Sequence, residues 1–220
     1  MEYPMKLFIF DHCPYCVRAM MVTGLKQLDV EWVYLQNQDV QARLGKVGAN
    51  LVPILQKPDG SYMAESLDIV AFLDKLEGAP VLLPATQQEV IQNYLKESSY
   101  STSRLLFPRN VRLGLPEFSS AEAIDWFTQN KTALIGMSFE DAFANTQTYL
   151  QGLYQCWSML DDVILPSARD NQLSYDDIIL FPGLRNLTMV KGITFSPRMV
   201  KYLEEVTSLT KVQCYTNIAV

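Results

Sequence analysis

The sequence predicts two domains, an α/β domain over residues 5–77 joined through a linker at 78–86 to an all-α helical bundle over 87–220. Three observations carry this. Up to about Glu77, short apolar runs alternate with helical stretches; beyond it, strand signals vanish; and Gly78-Ala-Pro80 with Pro84 interrupts the chain between the two patterns.

Taken in order, Lys6–Phe10 is apolar enough for a buried strand, and Pro14–Gln27 follows as a helix. Glu31–Leu35 is a second strand, and Asp39–Lys46 a weak polar helix. Leu51–Leu55 is a third strand broken by Pro53, and Pro58-Asp-Gly60 turns the chain into a short strand at Ser61–Met63. Ser66–Leu76 closes the domain as a helix, with Ser66 a good N-cap. The order β-α-β-α-β-β-α is that of a thioredoxin-like domain. In the second half, Val90–Leu106, Ala121–Gln129, Phe139–Leu165, Tyr175–Val190 and Pro197–Lys211 carry apolar residues at three- and four-residue spacing, the pattern of bundle helices. Ser174 and Asp177 fit a capping box, Pro182 should bend or break its helix, and Pro108–Pro116 and Ser167–Gln172 read as surface loops.

With 49% hydrophobic residues among 220, the chain can fill a core without disulfide staples. Its net charge of -6 is spread along the chain, and no Lys or Arg cluster invites nucleic acid. The first apolar run, Leu7–Phe10, meets Asp11 too early for a signal-peptide core, and no stretch approaches the roughly 18 apolar residues that span a bilayer. The expectation is a cytoplasmic protein with no nucleic-acid or membrane partner. Of four cysteines, Cys13 and Cys16 form a close pair, while Cys156 and Cys214 are scattered and read as incidental thiols.

The pair carries the chemistry. Cys13-Pro14-Tyr15-Cys16 falls where the first strand hands over to the first helix. Pro14 loses no hydrogen bond in the first helical turn, and Cys13 sits where unpaired N–H groups and the helix dipole favour a thiolate. Cys13 is therefore the expected nucleophile and Cys16, one turn further in and shielded, the resolving thiol. Zinc would need two further ligands, and only His12, Cys156 and Cys214 are on offer, so no metal is expected. His12 reads as a neighbour that tunes or packs against the site.

Two further segments could bind a thiol substrate. A proline in a would-be central strand calls for either an edge position or a cis bond at Val52-Pro53, and a cis bond would leave the Val52 backbone free to pair with an extended peptide. Glu65-Ser66 opens a helix whose N–H groups could hold a carboxylate.

Asp11-His-Cys-Pro-Tyr-Cys16, Leu51-Val-Pro-Ile-Leu-Gln-Lys57 and Met63-Ala-Glu-Ser-Leu-Asp-Ile69 together resemble the glutaredoxins. Ser174-Tyr-Asp-Asp177, Ile178-Ile-Leu-Phe-Pro182 and Leu184-Arg-Asn-Leu-Thr188 extend the resemblance to large bacterial members that add a glutathione S-transferase-like helical domain. It covers the chain from Met5 onward; Met1–Pro4 lie outside it. The resemblance implies a glutathione-dependent thiol-disulfide oxidoreductase, monomeric, with glutathione as co-substrate, no permanently bound cofactor, and glutathionylated or disulfide-containing proteins as partners. It implies a cis bond at Pro53, with Val52 pairing the glutathione cysteinyl unit and Glu65 and Ser66 holding its γ-glutamyl end. Tyr15 and Pro53 complete the glutathione-binding set. Two alternatives share features of this plan: a glutathione transferase, against which the second cysteine argues, and a carrier holding an iron-sulfur cluster between two chains, which Pro14 makes less easy.

Overall fold

The computed structural model describes residues 3–220. Met1 and Glu2, half of the segment expected to fall outside the resemblance, lie outside the described residues. The α/β domain runs β1 (Met5–Ile9), α1 (Pro14–Leu25), β2 (Val30–Tyr34), α2 (Val40–Val47), β3 (Ile54–Gln56), β4 (Tyr62–Met63) and α3 (Ser66–Lys75). The sheet order is β2-β1-β3-β4, with β1 parallel to β2 from Met5↔Val30 to Ile9↔Tyr34 and antiparallel to β3 from Phe8↔Ile54 to Lys6↔Gln56. Side chains alternate across β1. Leu7 and Ile9 are fully buried in the core with Val17, Met20, Ile69 and Leu73 of α1 and α3. Phe8 and Phe10 face the other way, under Lys46 and Arg43 of α2.

The helical domain comprises α4 (Gln88–Asn110), α5 (Ala121–Ile135), α6 (Phe139–Ala144), α7 (Thr146–Tyr154), α8 (Tyr175–Leu187) and α9 (Pro197–Thr210). Among the described residues no helix is long and apolar enough to cross a membrane. The segment between the domains is pinned: the Leu83 N–H donates to the Leu173 carbonyl at 2.9 Å, and the Tyr175 N–H to Leu83 at 3.0 Å. Asp176 accepts from the N–H groups of Thr86 and Gln87 at 2.7 and 2.9 Å, serving as a distant cap for α4, whose own N-cap residue Gln87 turns its side chain away to Asp162 and Ile164 and makes no capping bond.

Several elements differ from expectation. The strand foreseen at Leu51–Leu55 is confined to Ile54–Gln56, because Leu51–Pro53 forms an irregular approach with a cis Val52-Pro53 bond. Helix α4 runs through Pro108 to Asn110 where a loop was expected. Its last turn is buried: Arg109 donates to the carbonyls of Val220 and Leu105 and to the Thr146 hydroxyl, so tertiary bonds offset the proline's missing N–H. Phe139–Leu165 is not one helix but α6, α7 and a 3-10 turn at Trp157–Leu160. The break falls at Asn145-Thr146, whose side chains bond back to the carbonyls of Asp141 and Phe143, a polar competition that disfavours an unbroken helix. Pro182 does not end α8, which continues to Leu187 with Phe181, Pro182 and Leu184 in the core. Asp177 reaches back to the Ser174 N–H at 2.7 Å as the capping pattern requires, while the Ser174 hydroxyl accepts from Arg169 at 2.6 Å. Ser66 is not the cap of α3; Glu65 is, with φ +68°, and Ser66 is its first helical residue.

Candidate active site

Cys13 is the N-cap residue of α1, with Pro14 at the first helical position and no competing side-chain cap. Its own N–H donates to the Phe10 carbonyl at 3.2 Å, which folds the β1–α1 turn back on itself. Cys13 is half-buried and Cys16 fully buried, both as free thiols. The Cys13 thiol is lowered from 9.0 to about 7. The hydrogen bond from Cys16 is the main cause; burial opposes it, while the charge of His12 and the N–H groups of Cys16 and Tyr15 assist. Cys16 goes the other way, pushed well above 9.0 by burial and then by its bond to Cys13 and the Cys13 charge. Its sulfur accepts from the Phe10 N–H at 3.5 Å.

Cys13, Tyr15 and Val52 line one cleft of about 460 Å³, with Phe107 of α4 and Trp126 and Lys131 of α5 on its far wall. Tyr15 is 53% exposed at the rim. Neither the N–H nor the carbonyl of Val52 has a partner among the described residues, and Pro53 behind it is buried. Ser66 is tied to α1 by Arg18, whose Nη1 donates to Ser66 Oγ at 3.2 Å and whose guanidinium lies 4.7 Å from the Tyr15 ring centroid. Glu65 is exposed at the same helix N-terminus, in a backbone conformation that costs a non-glycine residue about 1–3 kcal/mol. Among the described residues no three His, Cys, Asp or Glu side chains gather as a metal-ligand set.

The helical domain holds the redox turn from behind. Glu117, fully buried in the 3-10 turn at Pro116–Phe118, accepts from both the backbone N–H of His12 at 3.0 Å and its Nδ1 at 2.5 Å. Burial alone would raise the Glu117 carboxyl, but the bonds and charge of His12 bring it below its ordinary value. The His12 ring is packed among Phe10, Phe118 and Phe127. Asn186 Nδ2 donates to the His12 carbonyl at 2.6 Å, and Arg185 holds Asp11 through its carbonyl at 2.8 Å and its carboxylate at 3.1 and 3.2 Å.

The family model for the C-terminal domain of glutaredoxin 2 matches residues 90–219, and that for the N-terminal domain of glutathione S-transferases matches residues 7–81. Glutaredoxin 2 of Escherichia coli K12 is 39% identical over 217 residues, spanning 98% of this chain and 100% of that protein. The chain belongs to the glutaredoxin 2 family. Glutaredoxin 2 from Salmonella typhimurium, solved in complex with glutathione, superposes with a TM-score of 0.91 at 36% identity over 98% of this chain and 99% of that one. Glutathione transferase Omega 3C from Trametes versicolor shares the fold at a TM-score of 0.55 and 20% identity, over 97% of this chain and 86% of that one.

Within this glutaredoxin 2 framework, sequence reasoning missed Arg18, Glu117 and Asn186. Arg18 was within reach, being three residues beyond Tyr15 and so on the same helical face. Glu117 carries no local signal, since its partner His12 is 105 residues away. Asp11 and Arg185 both fall within the motifs that carried the resemblance, but nothing in the sequence pairs them.

Proposed function

We propose that Cys13 and Cys16 perform glutathione-dependent reduction of mixed disulfides with glutathione and of protein disulfides. The observation that carries this reading is the opposed ionisation of two sulfurs one helical turn apart, Cys13 lowered to about 7 and Cys16 pushed up. The Cys13 thiolate attacks the glutathione sulfur of a mixed disulfide, the S–S bond breaks, and the protein thiolate leaves. A second glutathione thiolate then attacks the same glutathione sulfur, forming oxidised glutathione and returning Cys13 as thiolate. With a protein disulfide, Cys13 forms the mixed disulfide and Cys16 displaces the protein, closing a Cys13–Cys16 disulfide that two glutathiones reduce. Once the Cys13 charge is consumed in a disulfide, two of the causes that hold Cys16 protonated disappear, so the resolving thiol is activated by the first step.

The unpaired Val52 backbone supports pairing with the glutathione cysteinyl unit, as an added strand would pair, and the first turn of α3 at Glu65 and Ser66 suits the γ-glutamyl carboxylate. The family relative solved with glutathione supports the choice of ligand. Tyr15 and Pro53 belong to the binding face, the first at its rim and the second setting the Val52 backbone. We assign the protein partners as glutathionylated or disulfide-containing proteins, the working form as a monomer and the compartment as cytoplasmic.

The test is turnover of a glutathionylated peptide and of a protein disulfide by two variants. Cys13→Ser should abolish both activities. Cys16→Ser should keep deglutathionylation and lose most protein-disulfide reduction; full activity without Cys13 would overturn the assignment.

A further inference from the structure

The Glu117 carboxylate makes both of its bonds to one residue. Its Oε1 accepts from the backbone N–H and from Nδ1 of His12, while its Oε2, equally buried, has no partner among the described residues. A carboxylate with no solvent contact and one empty oxygen keeps its charge only beside a cation. Among the described residues, the His12 imidazole is the one basic side chain paired with it. His12 in turn precedes Cys13 in the chain and lines the same cleft.

The other ionisable groups around the redox turn are committed elsewhere. Arg185 of α8 is paired with Asp11, and Arg43 of α2 donates to the carbonyls of Gln36 and Asn37. Lys131 of α5 stands over the rings of Phe107 and Phe127. Arg18 of α1 also faces Cys13, but it holds Ser66 and lies over Tyr15. Burial pushes the hydroxyls of Tyr34 and Tyr215 up, so neither brings a charge. The Glu117 charge bears on Cys16 as well, where it adds to the causes that keep that thiol protonated. One carboxylate of the helical domain thus favours charge on the outer sulfur, through His12, and opposes it on the inner one.

We propose that Glu117 is a positioning residue for the redox reaction: it holds His12 as the positive partner of the Cys13 thiolate, so that the helical domain helps decide which sulfur attacks. The role in turnover rests on the Cys13 chemistry proposed above. Cys13 is the nucleophile of the first step and the leaving group of the last, when a glutathione thiolate takes the glutathione sulfur from it, and a better stabilised thiolate leaves faster.

The test is the pH profile of Cys13 alkylation by iodoacetamide in the full chain, with the modified cysteine identified by peptide mass. Glu117→Gln keeps an oxygen for both His12 donors and removes only the charge. His12→Asn keeps an N–H for Glu117 and removes the cation without altering the helical domain, so it gives an independent reading. Each should raise the Cys13 midpoint by about half a pH unit, and the double variant by no more than either alone. A merely structural role lowers the urea midpoint of both variants without moving the profile; that result overturns the proposal and leaves Cys13 standing as nucleophile. Shifts that add in the double variant mean that the two residues act separately, and also overturn it. A wild-type Cys13 that alkylates no faster near neutral pH than Cys156 and Cys214 overturns the proposal and the redox assignment together.

Discussion

The Cys13 and Cys16 sulfurs share one hydrogen bond, and its direction decides which of them is charged. Cys16 donates, so removing the donor acts mainly on Cys13. Thiolate fraction rises with pH through the midpoint, so the rate of Cys13 alkylation by iodoacetamide should climb to a plateau with a midpoint near 7. In Cys16→Ala the midpoint should move toward the ordinary thiol value; an unmoved midpoint would reassign the shift to the helix and His12. The sign for stability follows. A thiol lowered in the native state contributes stability that is full above its unfolded value of 9.0 and is lost as pH falls through about 7. Glu117 is the second residue whose removal has a defined cost. Glu117→Leu orphans the backbone N–H and Nδ1–H of His12 in an apolar cage, and should cost about 3 kcal/mol in urea unfolding. Cys13 and Cys16 were legible in the sequence because the cause of their chemistry is local, a strand-to-helix junction. Glu117 was not, because its contact is made by folding alone.

At the scale of elements, α1 meets α9 so closely that the contact is backbone on backbone. A Cβ at Gly24 would lie 1.7 Å from the Thr210 carbonyl oxygen, and a carbonyl in a helix cannot swing aside as a side chain can. Gly24→Ala, which raises intrinsic helix propensity, should therefore destabilise by about 3 kcal/mol, measured as a fall in urea midpoint. A stabilised variant would mean that α9 yields. The same glycine shows what a single sequence conceals: in α1 it looks like a weakness of the helix, and only the neighbour explains it. The order of strands and helices in the first domain was readable because each apolar run has its own period. In the helical domain the periods located most of the helices but not the joints. Asn145-Thr146 divides one apolar stretch by side-chain bonds to the preceding turn, and Pro108 fails to divide α4 because Arg109 is anchored by distant groups.

For the whole molecule, the packing between the two domains predicts that they unfold as one. Helix α1 packs on α3 of its own domain and on α8 and α9 of the other, so its apolar core is continuous across the boundary. Over this lies a polar strap. Arg185 of α8, almost wholly buried, donates to Asp11 and to the Tyr215 hydroxyl at 2.7 Å, and that hydroxyl donates to Asp11 Oδ2 at 2.7 Å. Burial holds the Tyr215 hydroxyl protonated far above its usual range, so it remains a donor across the accessible pH range. Arg185→Met removes the cation but keeps the volume, leaving the half-buried Asp11 with one partner instead of two. The expected cost is about 3 kcal/mol, whereas Tyr215→Phe, which removes one hydroxyl, should cost about 1 kcal/mol. Because the apolar interface survives both changes, tryptophan fluorescence and far-UV circular dichroism should still report one coincident urea transition, displaced to lower midpoint with unchanged slope. Two separated transitions in Arg185→Met would instead locate the cooperativity of the molecule in the strap, and Cys13 should then keep most of its low midpoint in the intermediate, because Cys16 and the N–H groups of α1 stay with the redox turn.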